Sequence, residues 1–119
     1  MLKNILLVAL GGATGSVLRY LTYYFLPSKT INKATLLVNI LGSLIIGLLA
    51  GYFSRFHNTS TLQNLLIVGF CGGFTTYSAF SWDVFVLLQQ HKILNAVGYI
   101  LVMLILAVLF TYIGYIISK

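Results

Sequence analysis

Few residues in this chain could do chemistry, and most of them lie together. Between Gly69 and Trp82 the sequence reads G-F-C-G-G-F-T-T-Y-S-A-F-S-W. Three glycines, two adjacent threonines and then aromatics alternating with serines interrupt an apolar segment, Leu62 to Leu88, that is long enough to cross a membrane. Tyr77 and Phe80 are three apart, as are Ser78 and Ser81, so each pair shares roughly one helix face. Elsewhere in the apolar spans stand the Asn39 amide and the hydroxyls of Thr35 and Thr111. Aromatic ring edges are electropositive. A wall of neutral donors and ring edges therefore suits a small, strongly hydrated anion that must exchange water for hydrogen bonds. Main-chain carbonyls freed between Gly72 and Thr75 would suit a hard monovalent cation instead. The residues point to a polar ion pathway and leave the ion open.

Composition removes most other chemistry. Of 119 residues 60% are hydrophobic and 7% charged, far below the charge of a soluble domain, so the chain belongs in a bilayer. Asp83 is the sole acidic residue, so no carboxylate pair can form, and no His/Cys/carboxylate cluster exists. Hydrolytic or metal-dependent catalysis has almost nothing to work with, which excludes an enzyme. The net charge of +6 comes from basic residues scattered singly between apolar runs. That pattern fits snorkelling and lipid headgroups and not nucleic acid. Cys71 stands alone and excludes an internal disulfide.

The elements that must position these groups are membrane helices. The sequence predicts one all-α transmembrane domain, residues 1–119, with spans at about 5–26, 34–53, 62–88 and 96–117. The first begins after a short basic start, and its apolar character outruns a cleavable signal. Gly11, Gly15 and Arg19 share one of its faces at i, i+4, i+8, where small residues let a neighbouring helix approach. Two readings of Arg19 compete: an inward charge at a functional site, or an arginine snorkelling to the interface beside Tyr20, Tyr23 and Tyr24. Pro27 ends this span.

The second span carries Thr35, Asn39, Ser43, Gly47 and Gly51 on one i+4 stripe. Ser43, Gly47 and Gly51 read as a packing seam, whereas the Asn39 carboxamide brings two donors that need partners at membrane depth. The third span is long for one straight crossing. Gly72-Gly73 strips side-chain cover from the backbone and Thr75-Thr76 adds β-branching, so a break near mid-membrane is expected there. The fourth carries Tyr99, Met103, Ala107, Thr111 and Tyr115 on one line.

Four spans put both termini on one side with Lys3, Arg55 and Lys119, against Lys29, Lys33 and Lys92 on the other. This balance gives the positive-inside rule nothing to act on. Such a chain can insert both ways, and two copies could pair as a dual-topology antiparallel dimer. Four short helices also hardly enclose a polar pathway alone, and a second copy would supply the missing walls.

Three segments resemble a known family, the small fluoride channels called Fluc or CrcB. Gly11-Gly12-Ala13-Thr14-Gly15-Ser16-Val17-Leu18-Arg19-Tyr20 is similar to its first-helix motif. Thr35-Leu36-Leu37-Val38-Asn39-Ile40-Leu41-Gly42-Ser43, followed by Gly47, resembles its second-helix pattern. The run from Gly69 to Ser81 resembles its signature G-x-x-G-G-x-T-T-F-S-T-F-S. The resemblance implies a passive fluoride channel of the cell membrane, exporting fluoride that enters as neutral hydrogen fluoride and dissociates inside. It implies two antiparallel pores in a dimer with a central structural sodium, held by the main-chain carbonyls of Gly72 and Thr75 from each subunit. Asn39 would be the pore asparagine, and Tyr77 and Phe80 the two aromatics whose edges face fluoride.

Three positions depart from the family pattern. Tyr77 replaces a phenylalanine, Met103 stands where a pore serine is common, and Asp83 stands where glutamate is frequent. Tyr77 with Met103 would fit a half-active or non-conducting subunit paired with a homologous chain, while the balanced charge favours a homodimer. A small proton-coupled multidrug exporter is a third reading. It would need a membrane-embedded carboxylate, for which only Asp83 is at hand.

Overall fold

In a computed structural model, which describes residues 1–29 and 31–119, the chain is all-helical. Helix α1 runs Leu2–Phe25 and α2 runs Lys33–Phe53. A third crossing is assembled from α3 (Ser60–Gln63), a π-helix (Asn64–Cys71), α4 (Gly72–Phe74) and α5 (Tyr77–Gln89). Helix α6, Ile93–Ser118, closes the chain. Among the described residues, four helical segments are long and apolar enough to cross a membrane: Leu2–Phe25, Lys33–Phe53, Ser60–Gln89 and Ile93–Ser118. This is a multi-pass membrane protein.

Two seams hold the bundle, and small residues make both. Helix α2 packs along α6, and α1 packs along the π-helix and α4. At the second seam, a Cβ on Gly73 would lie 2.9 Å from the Cα of Gly12, and one on Gly69 would lie 2.9 Å from the carbonyl oxygen of Val8. At the first, a Cβ on Gly114 would lie 2.9 Å from the backbone nitrogen of Leu48. Backbones thus touch where lipid-soluble helices have no hydrophobic drive to associate, and dispersion at close range holds them together. Gly47 and Gly51 are part of the same α2–α6 seam, as the sequence stripe suggests. A smaller apolar cluster of Phe80, Leu87, Ala96, Tyr99 and Met103 joins α5 to α6.

The break differs in detail from the expectation. Gly72 and Gly73 are still helical, and the chain becomes extended one turn later, at Thr75 (φ −81°, ψ 158°) and Thr76 (φ −150°, ψ 114°). The reason is a division of labour. Gly69 and Gly73 serve the approach of α1, whereas the β-branched threonines tolerate extended backbone and carry hydroxyls that tie off its ends. Thr75 Oγ1 donates to the Cys71 carbonyl at 2.8 Å, and Thr76 Oγ1 accepts the Ala79 N–H at 3.2 Å as the cap of α5. The π-helix upstream was not expected at all. Its wide turns run along the glycine face of α1.

Candidate functional site

A break in a membrane helix leaves backbone groups without helical partners, and each must be satisfied locally. Asn39 on α2 takes two of them. Its Nδ2 donates to the Thr76 carbonyl at 3.0 Å, and its Oδ1 accepts the Thr76 N–H at 2.7 Å. Arg19 on α1 takes a third, with Nη1 donating to the Thr75 carbonyl at 3.4 Å. Ser16, also on α1, reaches the Gly73 carbonyl at 3.5 Å. Arg19 therefore turns inward. Its guanidinium faces the C-terminal end of one helical run, where the helix dipole favours a cation, while the N-terminus of α5 begins two residues on.

The Gly72 carbonyl is left over. Thr75 N–H goes to Cys71 O and Thr76 N–H goes to Asn39, so its helical donor is gone. Gly72 is exposed, and a Cβ placed there would meet nothing within 4 Å.

Around these groups lie two cavities. The first, about 420 Å³, is lined by Asn39, Ser43, Thr76, Tyr77, Phe80 and Met103, among others. The second, about 410 Å³, is lined by Arg19, Tyr23, Thr76, Ser78, Ala79 and Trp82. Thr76 is common to both. The rings of Tyr77 and Phe80 stand 5.8 Å apart at 55°, and Phe80 in turn stands 5.4 Å from Tyr99. Phe80 is buried while Tyr77 is 78% exposed, so one ring is enclosed by this chain and the other is offered outward. Met103, 4% exposed, puts a thioether against the first cavity.

The remaining expected residues are spread more widely. Thr35 is fully buried, and its hydroxyl pairs with Tyr23 Oη at 2.5 Å. Thr111 Oγ1 donates to the Ser43 carbonyl at 3.1 Å and lines a third cavity farther along α6. Ser81 is on the exposed side of α5 and lines none of these three cavities. So Asn39, Tyr77 and Phe80 come together, Arg19 and Ser78 share the adjoining space, and Thr35, Thr111 and Ser81 stand apart.

Sequence reasoning missed Thr76, which links both cavities, and Tyr23, which continues the Gly11–Gly15–Arg19 line by one more i+4 step. That spacing was the available signal. It also left Asp83 unpartnered, whereas Tyr99 Oη donates to Asp83 Oδ2 at 3.0 Å.

Among the described residues no group of three or more His, Cys, Asp or Glu could hold a metal. The chemistry open to this arrangement is ion passage past amide, hydroxyl and ring-edge donors.

The sequence profile described as CrcB-like protein, Camphor Resistance (CrcB), matches residues 6–115. A protein of Flavobacterium psychrophilum named Fluoride-specific ion channel FluC is 44% identical, over 99% of this chain and 98% of its own length. One of the same name from Methanococcus maripaludis is 46% identical over 79% of this chain and 78% of its own. The Fluoride-specific ion channel FluC 1 of Yersinia pestis is 42% identical over 85% and 82%.

Proposed function

This chain belongs to the CrcB-like family, a family of ion channels and not of enzymes, and on that premise we propose that it is a passive, selective fluoride channel. The observation that carries the reading is the wall formed by the Asn39 amide and the Tyr77 and Phe80 rings around one cavity. Asn39 spends one amide hydrogen on Thr76 and retains another. That N–H, with ring edges on the other side, replaces water around a small anion without offering a fixed positive charge that would hold it. Arg19 draws the anion toward the pathway from the adjoining cavity, beside the Ser78 hydroxyl. Flow follows the fluoride gradient, and fluoride trapped in the cytoplasm by dissociation of hydrogen fluoride leaves through the channel.

The pathway is completed by a second copy in antiparallel orientation. Tyr77 and Ser81, exposed on one chain, then lie against the partner, Thr111 lines an approach, and Thr35, fully buried, serves the pathway only by holding Tyr23. A sodium ion at the dimer centre is part of the same proposal. The Gly72 carbonyl, freed of its helical donor, suits a hard monovalent cation. The Thr75 carbonyl already accepts from Arg19 and has one lone pair left. Two carbonyls from one chain fall short of a hard cation's coordination shell, so both copies must contribute. Such an ion would fasten the two breaks together by charge–dipole attraction.

Fluoride efflux from liposomes holding this chain alone, at a potential clamped by valinomycin, tests the reading. Fast fluoride efflux without chloride efflux is expected, and an intact dimer that passes no fluoride overturns it. One observation favours a second reading. The Met103 thioether occupies the wall where a hydroxyl would extend the polar track, as in a half-active subunit that works with a homologous chain. A silent chain that conducts when a homologous subunit is co-expressed would select it.

A further inference from the structure

We infer that Asn39, besides facing the ion with its remaining N–H, is a positioning residue that stands in for the two backbone hydrogen bonds the break leaves unmade at Thr76. This rests on the fluoride-channel reading for its functional consequence, while the clasp itself does not.

In an uninterrupted helix the Thr76 N–H would donate to the Gly72 carbonyl, and the Thr76 carbonyl would accept the Phe80 N–H. The first does not fit the extended backbone at Thr76 (φ −150°, ψ 114°), and Phe80 N–H makes no close bond to the Thr76 carbonyl where α5 opens. A carboxamide carries one acceptor and one donor in a plane, as a peptide group does, and Asn39 offers both to one residue at 2.7 and 3.0 Å. The orientation is not interchangeable. The Thr76 N–H can only donate, so the amide oxygen must face it and the nitrogen must face the carbonyl. Thr76 is 6% exposed.

The clasp holds more than one residue in place. Thr76 is the N-cap of α5, accepting the Ala79 N–H, and Tyr77 and Phe80 are in its first turn. Its peptide plane thus sets the direction in which α5 departs, and with it both ring edges. The preceding carbonyl, that of Thr75, shares the Thr75–Thr76 peptide unit with the clasped N–H and meets Arg19. One side chain on α2 consequently fixes the wall of one cavity and the guanidinium contact beside the other, since Thr76 lines both. A pore asparagine with no such role would have left the Thr76 peptide to other partners.

Two measurements separate positioning from direct contact with the ion. The first is hydrogen exchange at the Thr76 amide, read by NMR on 15N-threonine-labelled protein in bicelles. Asn39→Ala is expected to speed that exchange by about tenfold or more, as loss of a buried hydrogen bond does. The second is fluoride efflux from a semisynthetic chain in which the Thr75–Thr76 amide is an ester. The ester removes the N–H and leaves the Asn39 side chain intact. Efflux is expected to fall by about tenfold or more, as for a buried acceptor left unpaired.

Unchanged Thr76 exchange in Asn39→Ala, or an ester chain that conducts at the wild-type rate, overturns the inference. If Asn39→Ala does not fold, the ester chain still decides it. If the wild-type chain passes no fluoride, the exchange measurement alone decides the clasp, so the two readings fail separately.

Discussion

Tyr99 on α6 donates its phenol hydrogen to Asp83 Oδ2 on α5 at 3.0 Å, joining the last two helices through the chain's only acidic side chain. Tyr99 is 4% exposed, and its ring rests 5.4 Å from that of Phe80. The pair therefore sits directly behind the aromatic wall. Tyr99→Phe leaves a half-buried carboxylate short of a donor and should destabilise the protein by about 1–3 kcal/mol. In an Asp83→Asn background the same change should cost less, and denaturant titration of the double-mutant cycle measures the difference. Equal costs in both backgrounds would show that the hydrogen bond carries no coupling.

Glycine substitutions should divide sharply by what their Cβ meets. Gly73→Ala drives a methyl into the backbone of Gly12, and neither backbone can yield without opening the α1 seam. A loss of roughly 1–3 kcal/mol is expected. Gly98 on α6 has nothing within 4 Å of its Cβ position, so Gly98→Ala should be neutral or stabilise by up to about 1 kcal/mol through helix propensity. Thermal melts in detergent compare the two directly.

The turn between α5 and α6 carries His91 at φ 57°, a left-handed conformation, with Lys92 N–H bonded to the Leu87 carbonyl at 2.9 Å. That is a helix stop of the kind glycine adopts without strain. His91→Gly should raise stability by about 1 kcal/mol, because the αL penalty of a side chain is removed. A lowered melting point would contradict this.

Phe80→Ile keeps the apolar volume and discards the ring edge, so fluoride efflux should fall strongly while the protein remains folded. Met103→Ser adds a hydroxyl to the same cavity and should raise efflux, at some cost in packing with Tyr99 and Leu87. Efflux unchanged in both would remove these residues from the pathway.

A proton-coupled exporter predicts something else for Asp83. Its Asp83→Asn variant would lose proton-driven drug uptake into vesicles. A channel has no such requirement, and the chain should show no drug transport before or after the change.

The crossings were legible because apolar length and isolated charges are one-dimensional signals, and α2 and α6 follow them closely. The small-residue stripes on α1 and α2 likewise foretold backbone contact, since only close approach requires Gly11, Gly15 and Gly47 together. What could not be read was which glycines bend the chain. The break was expected across Gly72-Gly73 and Thr75-Thr76 together, and the extended backbone falls on the threonine pair alone. Packing against α1 has first claim on Gly73, and no local pattern records that claim. The π-helix was hidden for the same reason, because its hydrogen-bond register is set by what it packs against. Asn39 was found, but its partner Thr76 was not. A pairing across 37 positions leaves no periodic trace.

Gly72 stands out among the glycines of the third crossing. Gly69 and Gly73 are committed to α1, while the space where a Gly72 side chain would stand is vacant. A reporter group attached at this position would leave the close backbone contacts with α1 undisturbed. Its spectrum would then register what fills the cavity that Gly72 borders or what approaches from outside, separately from folding.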